Sequence, residues 1–140
     1  MLDRVRADRS LVPGAVEESL RLEPAAATID RYATTDVHLH GAAIEAGDYV
    51  IVSLAAANRD PSVFGEPDRY VIDRPNLRAH TTFALGPHAC PGIHLARAQA
   101  IAAVHAVLDG LPGLHLTPEA TGPRGLVFRK AVDVSVRWDR

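Results

Sequence analysis

Cysteine is almost absent: 140 residues contain one thiol, Cys90. A lone cysteine excludes an intramolecular disulfide and suits a reducing compartment. It also falls short of the Cys-rich sets that structural zinc sites use. No excess of one charge exists either, since 15 basic residues face 17 acidic ones for a net charge of −2, which argues against a nucleic-acid binder. Long apolar runs are missing. The longest, around Tyr49 to Ala57, is too short to span a bilayer, and the charged N-terminal stretch Met1 to Ser10 is unlike a signal peptide. The chain reads as soluble and cytoplasmic, with neither nucleic acid nor membrane among its partners. Internal repeats and low-complexity segments are lacking, and the Pro/Gly clusters are short turns. With 47% hydrophobic residues, the chain is one globular unit able to bury a core.

Seven histidines raise a metal alternative. Cys90 and His94 stand four apart before and on a helix, and His38 and His40 stand two apart on a strand. Both spacings allow two ligands on one face. The scarcity of thiols weighs against zinc.

Periodicity predicts the elements. Pro13 to Glu23 is an amphipathic helix with Ala15, Val16 and Leu20 as its apolar stripe, ended by Pro24. It carries Glu18 and Arg21, three apart and on one face. Such pairs are common solvated contacts worth a few tenths of a kcal/mol. Val37 to Leu39 and Tyr49 to Ser53 are two strands, with Gly41 and Ala46-Gly47-Asp48 supplying turns. The weak alternation of Tyr49 to Val52 predicts a strand covered on both faces. A long helix follows Cys90, with Ile93, Ala96, Ala100, Val104, Val107 and Leu108 at intervals of three and four, and ends at Asp109-Gly110. A short strand around Leu114 to Leu116, the turn Gly125 to Arg129, and a period-two strand from Val132 to Trp138 complete the chain.

The chemistry lies in the stretch Phe83 to Gly92, with the pattern Phe-x-x-Gly-x-x-x-Cys-x-Gly. Phe83 shields the sulfur, and Gly86 and Gly92 let the backbone turn and approach a planar group without a Cβ in the way. Cys90 sits at or just before a helix N-terminus near Pro91, where proline is at home and the helix dipole favours a thiolate by about 0.3–1 kcal/mol. A lone free cysteine is ordinarily a small buried hydrophobe. Phenylalanine and both glycines in register favour an axial sulfur ligand to haem iron. At this stretch the chain resembles the cytochrome P-450 family of haem-thiolate monooxygenases, in its soluble bacterial class.

The resemblance runs from near Met1 to Arg140 but covers only the C-terminal third or so of a family member. It implies a mainly α fold with small β-sheets (α+β), the C-terminal portion of the cytochrome P-450 fold. It also implies one partial domain over residues 1–140, the haem-binding part. The implied cofactor is haem b, with Cys90 as metal ligand and Phe83, Gly86 and Gly92 shaping its loop. Arg31 and His88 are the implied propionate partners, and His80 is a weaker one. An arginine can grip a carboxylate with two parallel hydrogen bonds. Asn58 to Tyr70 is similar to the family's meander, whose arginine, Arg69 by position, joins Glu18 and Arg21 in a buried charged knot of structural role. Ala25 to Ile29, including Ala26 and Ala27, would run along the haem toward substrate. Leu126 and Val127 would form the apolar tip of the C-terminal turn. Leu95 to Arg97 is typical of the family, while Gln99 stands where the family often has Glu.

Two functions stay open. One is a monooxygenase that takes electrons from a ferredoxin-type donor, activates dioxygen and inserts one oxygen atom into a small hydrophobic substrate. The other is a truncated relic or haem-binding module without turnover, since the distal Ala-Gly-x-(Asp/Glu)-Thr helix of the family has no counterpart in these residues. No catalytic acid–alcohol pair is assigned. The strands would lack the sheet partners that the family's N-terminal region supplies and would leave an exposed edge.

Overall fold

Apolar residues at helical spacing decide where the core forms. In the computed structural model, which describes residues 1–139, α1 (Leu2–Ala7) leads through a 3-10 turn (Arg9–Leu11) into α2 (Val12–Leu22). The Asp8 carboxylate caps that turn by accepting from the Ser10 N–H at 2.9 Å. Pro13 occupies the first turn of α2, where its missing N–H has no intrahelical partner to lose. Val5, Val12 and Val16 are buried with Ile72 and Leu108, bordered by Leu11, Leu20, Tyr70, Ile101 and Val104. Each large aliphatic side chain fully buried there contributes about 1.5–3 kcal/mol.

Gly14 is what lets the segment just after the meander lie on α2. A Cβ at that position would stand 2.6 Å from the carbonyl oxygen of Ile72, closer than a carbon and a backbone oxygen can approach. Glycine here is a packing requirement.

Four short strands follow: β1 (Thr28–Tyr32), β2 (Val37–Leu39), β3 (Ala42–Ile44) and β4 (Tyr49–Ser53). β2 and β3 form a hairpin whose turn residues His40 and Gly41 both have positive φ, 47° and 83°. β4 pairs antiparallel with β1, placing Ile29 opposite Val52 and Arg31 opposite Val50. The two strands predicted from sequence thus lie in different sheets. β1 and β3 are strands that periodicity did not mark. Tyr49, Ile51 and Val52 are exposed, so the expectation of a strand covered on both faces fails here. A two-stranded ribbon has too little surface to cover either of its faces. Helix α3 (Leu54–Ala57) follows directly, capped by the Ser53 hydroxyl.

The meander and a 3-10 turn (Leu77–Ala79) lead to the cysteine loop and then to α4 (Ile93–Gly110). α4 presents Ala100, Ile101, Val104 and Leu108 to the core, while Val107, assigned to the stripe from sequence, is exposed. The helix is alanine-rich, and its core face packs against α2. The chain ends in β5 (His115–Leu116) paired with β6 (Val136–Arg137). The strand expected over Val132 to Trp138 is only two residues long because only His115 and Leu116 lie opposite it. Val132 and Val134 are exposed. Among the described residues, no helix is long and apolar enough to cross a membrane.

Candidate functional site

The site is built on a buried ion-pair knot. Glu18 and Arg21 side chains are both 0% exposed, and Nε of Arg21 donates to Oε2 of Glu18 at 2.7 Å. Arg21 uses its whole donor fork. Nη2 donates to Glu18 Oε1 at 2.8 Å and to the Arg69 carbonyl at 3.1 Å, and Nη1 donates to the carbonyls of Asn58 and Pro67, each at 2.8 Å. Five N–H groups thus meet five acceptors, and the guanidinium also lies 5.1 Å over the Phe64 ring.

The third member is Arg74, whose Nε donates to Glu18 Oε1 at 3.0 Å with its side chain almost fully buried. This corrects the assignment of Arg69 to the knot. The Arg69 side chain is exposed and pairs with Glu66 at 2.5 Å. Only its carbonyl oxygen enters, accepting from Arg21 and Arg74. Both arginines follow an aspartate, Asp68 and Asp73, and spacing in a turn-rich segment does not separate them. Burial pushes the Glu18 carboxyl up, but hydrogen bonds from Arg21, the Val71 N–H and Arg74 outweigh it. They hold the group below the ordinary glutamate value of 4.5.

Asn58 carries this order toward the cysteine loop. Its side chain is wholly buried. Oδ1 accepts from the Thr81 N–H at 2.7 Å, and Nδ2 donates to the Thr82 hydroxyl at 2.9 Å. That hydroxyl in turn donates to the Leu20 carbonyl of α2 at 2.7 Å.

A second charged set, not singled out from sequence, lies beside the first. Glu17 accepts two hydrogen bonds from Arg97 of α4, at 2.6 and 2.9 Å, and meets His80 Nε2 at 2.9 Å. His80 is buried by this contact and is therefore not free to meet a propionate, which removes it from the candidates. The available signal was a Glu-Glu pair on a helix whose apolar stripe runs alongside. Glu17 and Glu18 follow Val16 directly, so both carboxylates point partly inward.

Cys90 is the free thiol, and it is exposed. Its N–H donates to the Phe83 carbonyl at 2.8 Å, closing the loop, and Ala89 N–H donates to Gly86 at 3.0 Å within the 3-10 turn Gly86–His88. Gly86 has φ +72° and supplies the left-handed step of that turn. α4 begins at Ile93, two residues beyond the expected Pro91, with Gly92 as its N-cap. A side chain at Gly92 would begin 3.7 Å from the Cys90 Sγ. The Phe83 ring is half-buried, with the Arg97 guanidinium carbon 5.2 Å from its centroid.

Arg31 is exposed on β1, and its Nη1 donates only to the Asp30 carbonyl, at 2.7 Å. It lines a cavity of about 250 Å³ together with Ile29, Val52, Leu54, Thr81 and the cysteine-loop residues Ala84 and Leu85. Strand β1 and the loop therefore share one concave surface. His88 is exposed two residues before the thiol and does not line that cavity. A larger apolar cleft of about 490 Å³ between α1, α2 and α4 includes none of the predicted site residues.

The two segments expected to face substrate lie side by side. Ala27 N–H donates to the Val127 carbonyl at 2.7 Å, Arg129 N–H to the Ala25 carbonyl at 2.8 Å, and Ala26 bridges Phe128. Leu126, 91% exposed, is the tip, with Val127 beside it. Ala27 is the exception, since its side chain is buried and turned into the protein, so it does not line an open pocket.

This fold and loop are shared with known proteins. The sequence profile of the cytochrome P-450 family matches residues 4–111. The 20-oxo-5-O-mycaminosyltylactone 23-monooxygenase of Streptomyces fradiae is 46% identical over 81% of this chain and 27% of its own length. Cytochrome P-450 105A3 of Streptomyces carbophilus is 46% identical over 96% of this chain and 33% of its own. The steroid C26-monooxygenase of Mycolicibacterium smegmatis is 40% identical over 86% and 30%, respectively. Among solved structures, P-450 BioI, in complex with hexadec-9Z-enoic acid ligated acyl carrier protein, superimposes with a TM-score of 0.92 at 36% identity. It covers 99% of this chain and 36% of that one. Cytochrome P-450 CREJ gives a TM-score of 0.93 at 33% identity over 99% and 35%. The chain belongs to the cytochrome P-450 family and has the fold of its C-terminal portion. It spans about a third of the length of the relatives it matches.

Proposed function

We propose that this chain carries the haem-thiolate half-site of a monooxygenase, in which the Cys90 sulfur would hold haem b. The observation that supports this most is the exposed thiol of Cys90 on a loop closed by the Phe83 carbonyl, directly before α4. The residues present suit the group. One thiol is accessible, a guanidinium with a single main-chain partner stands over an apolar concavity, and the loop itself forms part of that wall.

When bound, the haem supplies the iron at which dioxygen is reduced and one of its atoms passed to an apolar C–H bond. The protein's part is binding, orientation and exclusion. The Cys90 thiolate would hold the iron and supply it with electron density. Arg31 and His88 offer donors to the propionates, whose burial demands such partners. Phe83 holds the Cys90 N–H through its carbonyl, and Gly86 and Gly92 keep the loop thin. Ala26, Leu126 and Val127 form an apolar wall that suits a small hydrophobic substrate. The name of the steroid relative points the same way. Electrons come from a ferredoxin-type donor. Glu18, Arg21 and Arg74 hold the scaffold and take no part in the chemistry.

Expressing the chain with haem, reducing it and adding carbon monoxide tests the ligand. A thiolate-type Soret band is expected, and Cys90→Ala removes it. A band that survives that substitution would overturn the assignment.

A further inference from the structure

Glu17 belongs to no motif used so far, yet its buried carboxylate gathers three parts of the chain. It joins α2 to α4 through the two bonds from Arg97 and to the start of the cysteine loop through His80. The His80 Nδ1 accepts from the Thr82 N–H at 3.3 Å, which leaves the imidazole proton on Nε2, facing Glu17. The Phe83 ring contacts both partners of that carboxylate. The Arg97 guanidinium carbon lies 5.2 Å from its centroid, and the His80 ring lies 6.2 Å away at 45°. Phe83 then holds the thiol-bearing residue through its main chain, its carbonyl accepting from the Cys90 N–H at 2.8 Å.

We infer that Glu17 is a positioning residue for the Cys90 loop, acting through His80, Arg97 and Phe83 to fix where the thiol stands relative to α4. The significance of that position rests on Cys90 being the haem ligand. A buried ion set is a poor source of net stability, since apolar packing serves as well. Its distinctive effect is orientational: a planar guanidinium held by two hydrogen bonds presents one face to the Phe83 ring. Hydrophobic residues in its place would fill the volume without fixing that face.

Amide hydrogen exchange of the full chain tests this without turnover. In Glu17→Gln the Cys90 amide should exchange faster by about tenfold, as expected from loss of a charge-assisted hydrogen bond. The Val104 and Leu108 amides of α4 should keep their rates. Phe83→Leu, which leaves the ion pairs intact, should reproduce the effect and serves if Glu17→Gln does not fold. In the haem-loaded chain, both variants should lower the share of the carbon monoxide complex showing the thiolate-type Soret band. Unchanged Cys90 exchange in the variants, or equal acceleration of Cys90, Val104 and Leu108, would overturn the positioning role. A wild-type chain that takes up haem without the thiolate band would instead strike the ligand assignment, leaving the exchange comparison to stand or fall by itself.

Discussion

Arg21 and Glu18 meet entirely out of solvent, Nε to Oε2 at 2.7 Å and Nη2 to Oε1 at 2.8 Å, and Arg74 Nε donates to that same Oε1. The pair stitches α2 to the meander, because the remaining Arg21 donors all end on carbonyls of residues 58 to 69.

Removing one member strands a buried charge. Arg21→Ala should cost about 3–5 kcal/mol, seen as a lower urea midpoint. Arg74→Ala should also lower it clearly. Arg69→Ala should leave the midpoint within error, because the knot uses only the backbone of that residue. Equal losses for Arg69 and Arg74 would contradict the geometry.

Stability should fall with acid. Burial raises both Glu17 and Glu18, but Arg97 and His80 for the first, and Arg21, Val71 and Arg74 for the second, outweigh it and hold both below the ordinary 4.5. Near that value unfolded glutamates take up protons while the folded ones stay ionised, so the unfolded state gains as pH drops. The stabilisation is complete above about pH 4.5 and is lost as pH falls through the depressed values. Urea titrations from pH 7 down to 3 should show that slope, and Glu18→Gln should flatten it.

Gly14→Ala pits two effects against each other. Alanine gains about 1 kcal/mol in helix propensity, but its Cβ meets a backbone oxygen that no rotamer can move, at 2.6 Å. Overpacking of this kind costs about 1–3 kcal/mol. Thermal unfolding should show a net loss, and a more stable variant would mean that the segment just after the meander can lift off α2.

Asn58→Ala removes the acceptor for the Thr81 N–H and the donor to Thr82 while leaving their neighbours in place. Unpaired buried polar groups of this kind cost about 1–3 kcal/mol each. The chemical shifts of Thr81 to Phe83 should move along with the loss of stability.

Arg31→Ala should speed haem loss to apomyoglobin by about tenfold, the scale of one charge-assisted hydrogen bond. The position of the carbon monoxide band should not change if Cys90 is the sulfur ligand, since Arg31 is not the group proposed to hold the iron. A shifted band would place Arg31 near the thiolate instead.

The cysteine loop was legible because its residue types answer local demands: a thiol, a glycine at positive φ, and a helix following at once. The two long helices were legible too, α2 to within a residue at each end, because apolar spacing and proline mark their limits, whereas the short α1 and α3 were not. Strand β1 and the shortness of β6 were not, since a ribbon's extent is set by the strand opposite it. The choice of Arg74 over Arg69, and the gathering of Glu17, His80 and Arg97, arise from contacts between residues 56 to 80 positions apart. Periodicity carries no record of such distances.

The order of residues by itself determined the family, the loop that carries Cys90 and the helix that follows, since each rests on chemistry within a few neighbouring positions. Which charges are buried together, which alanine turns inward, and what holds the Phe83 ring were decided only when α2, the meander and α4 came together. Burial raises the cost of an unpaired charge from tenths of a kcal/mol to several, and burial is a property of the packed chain.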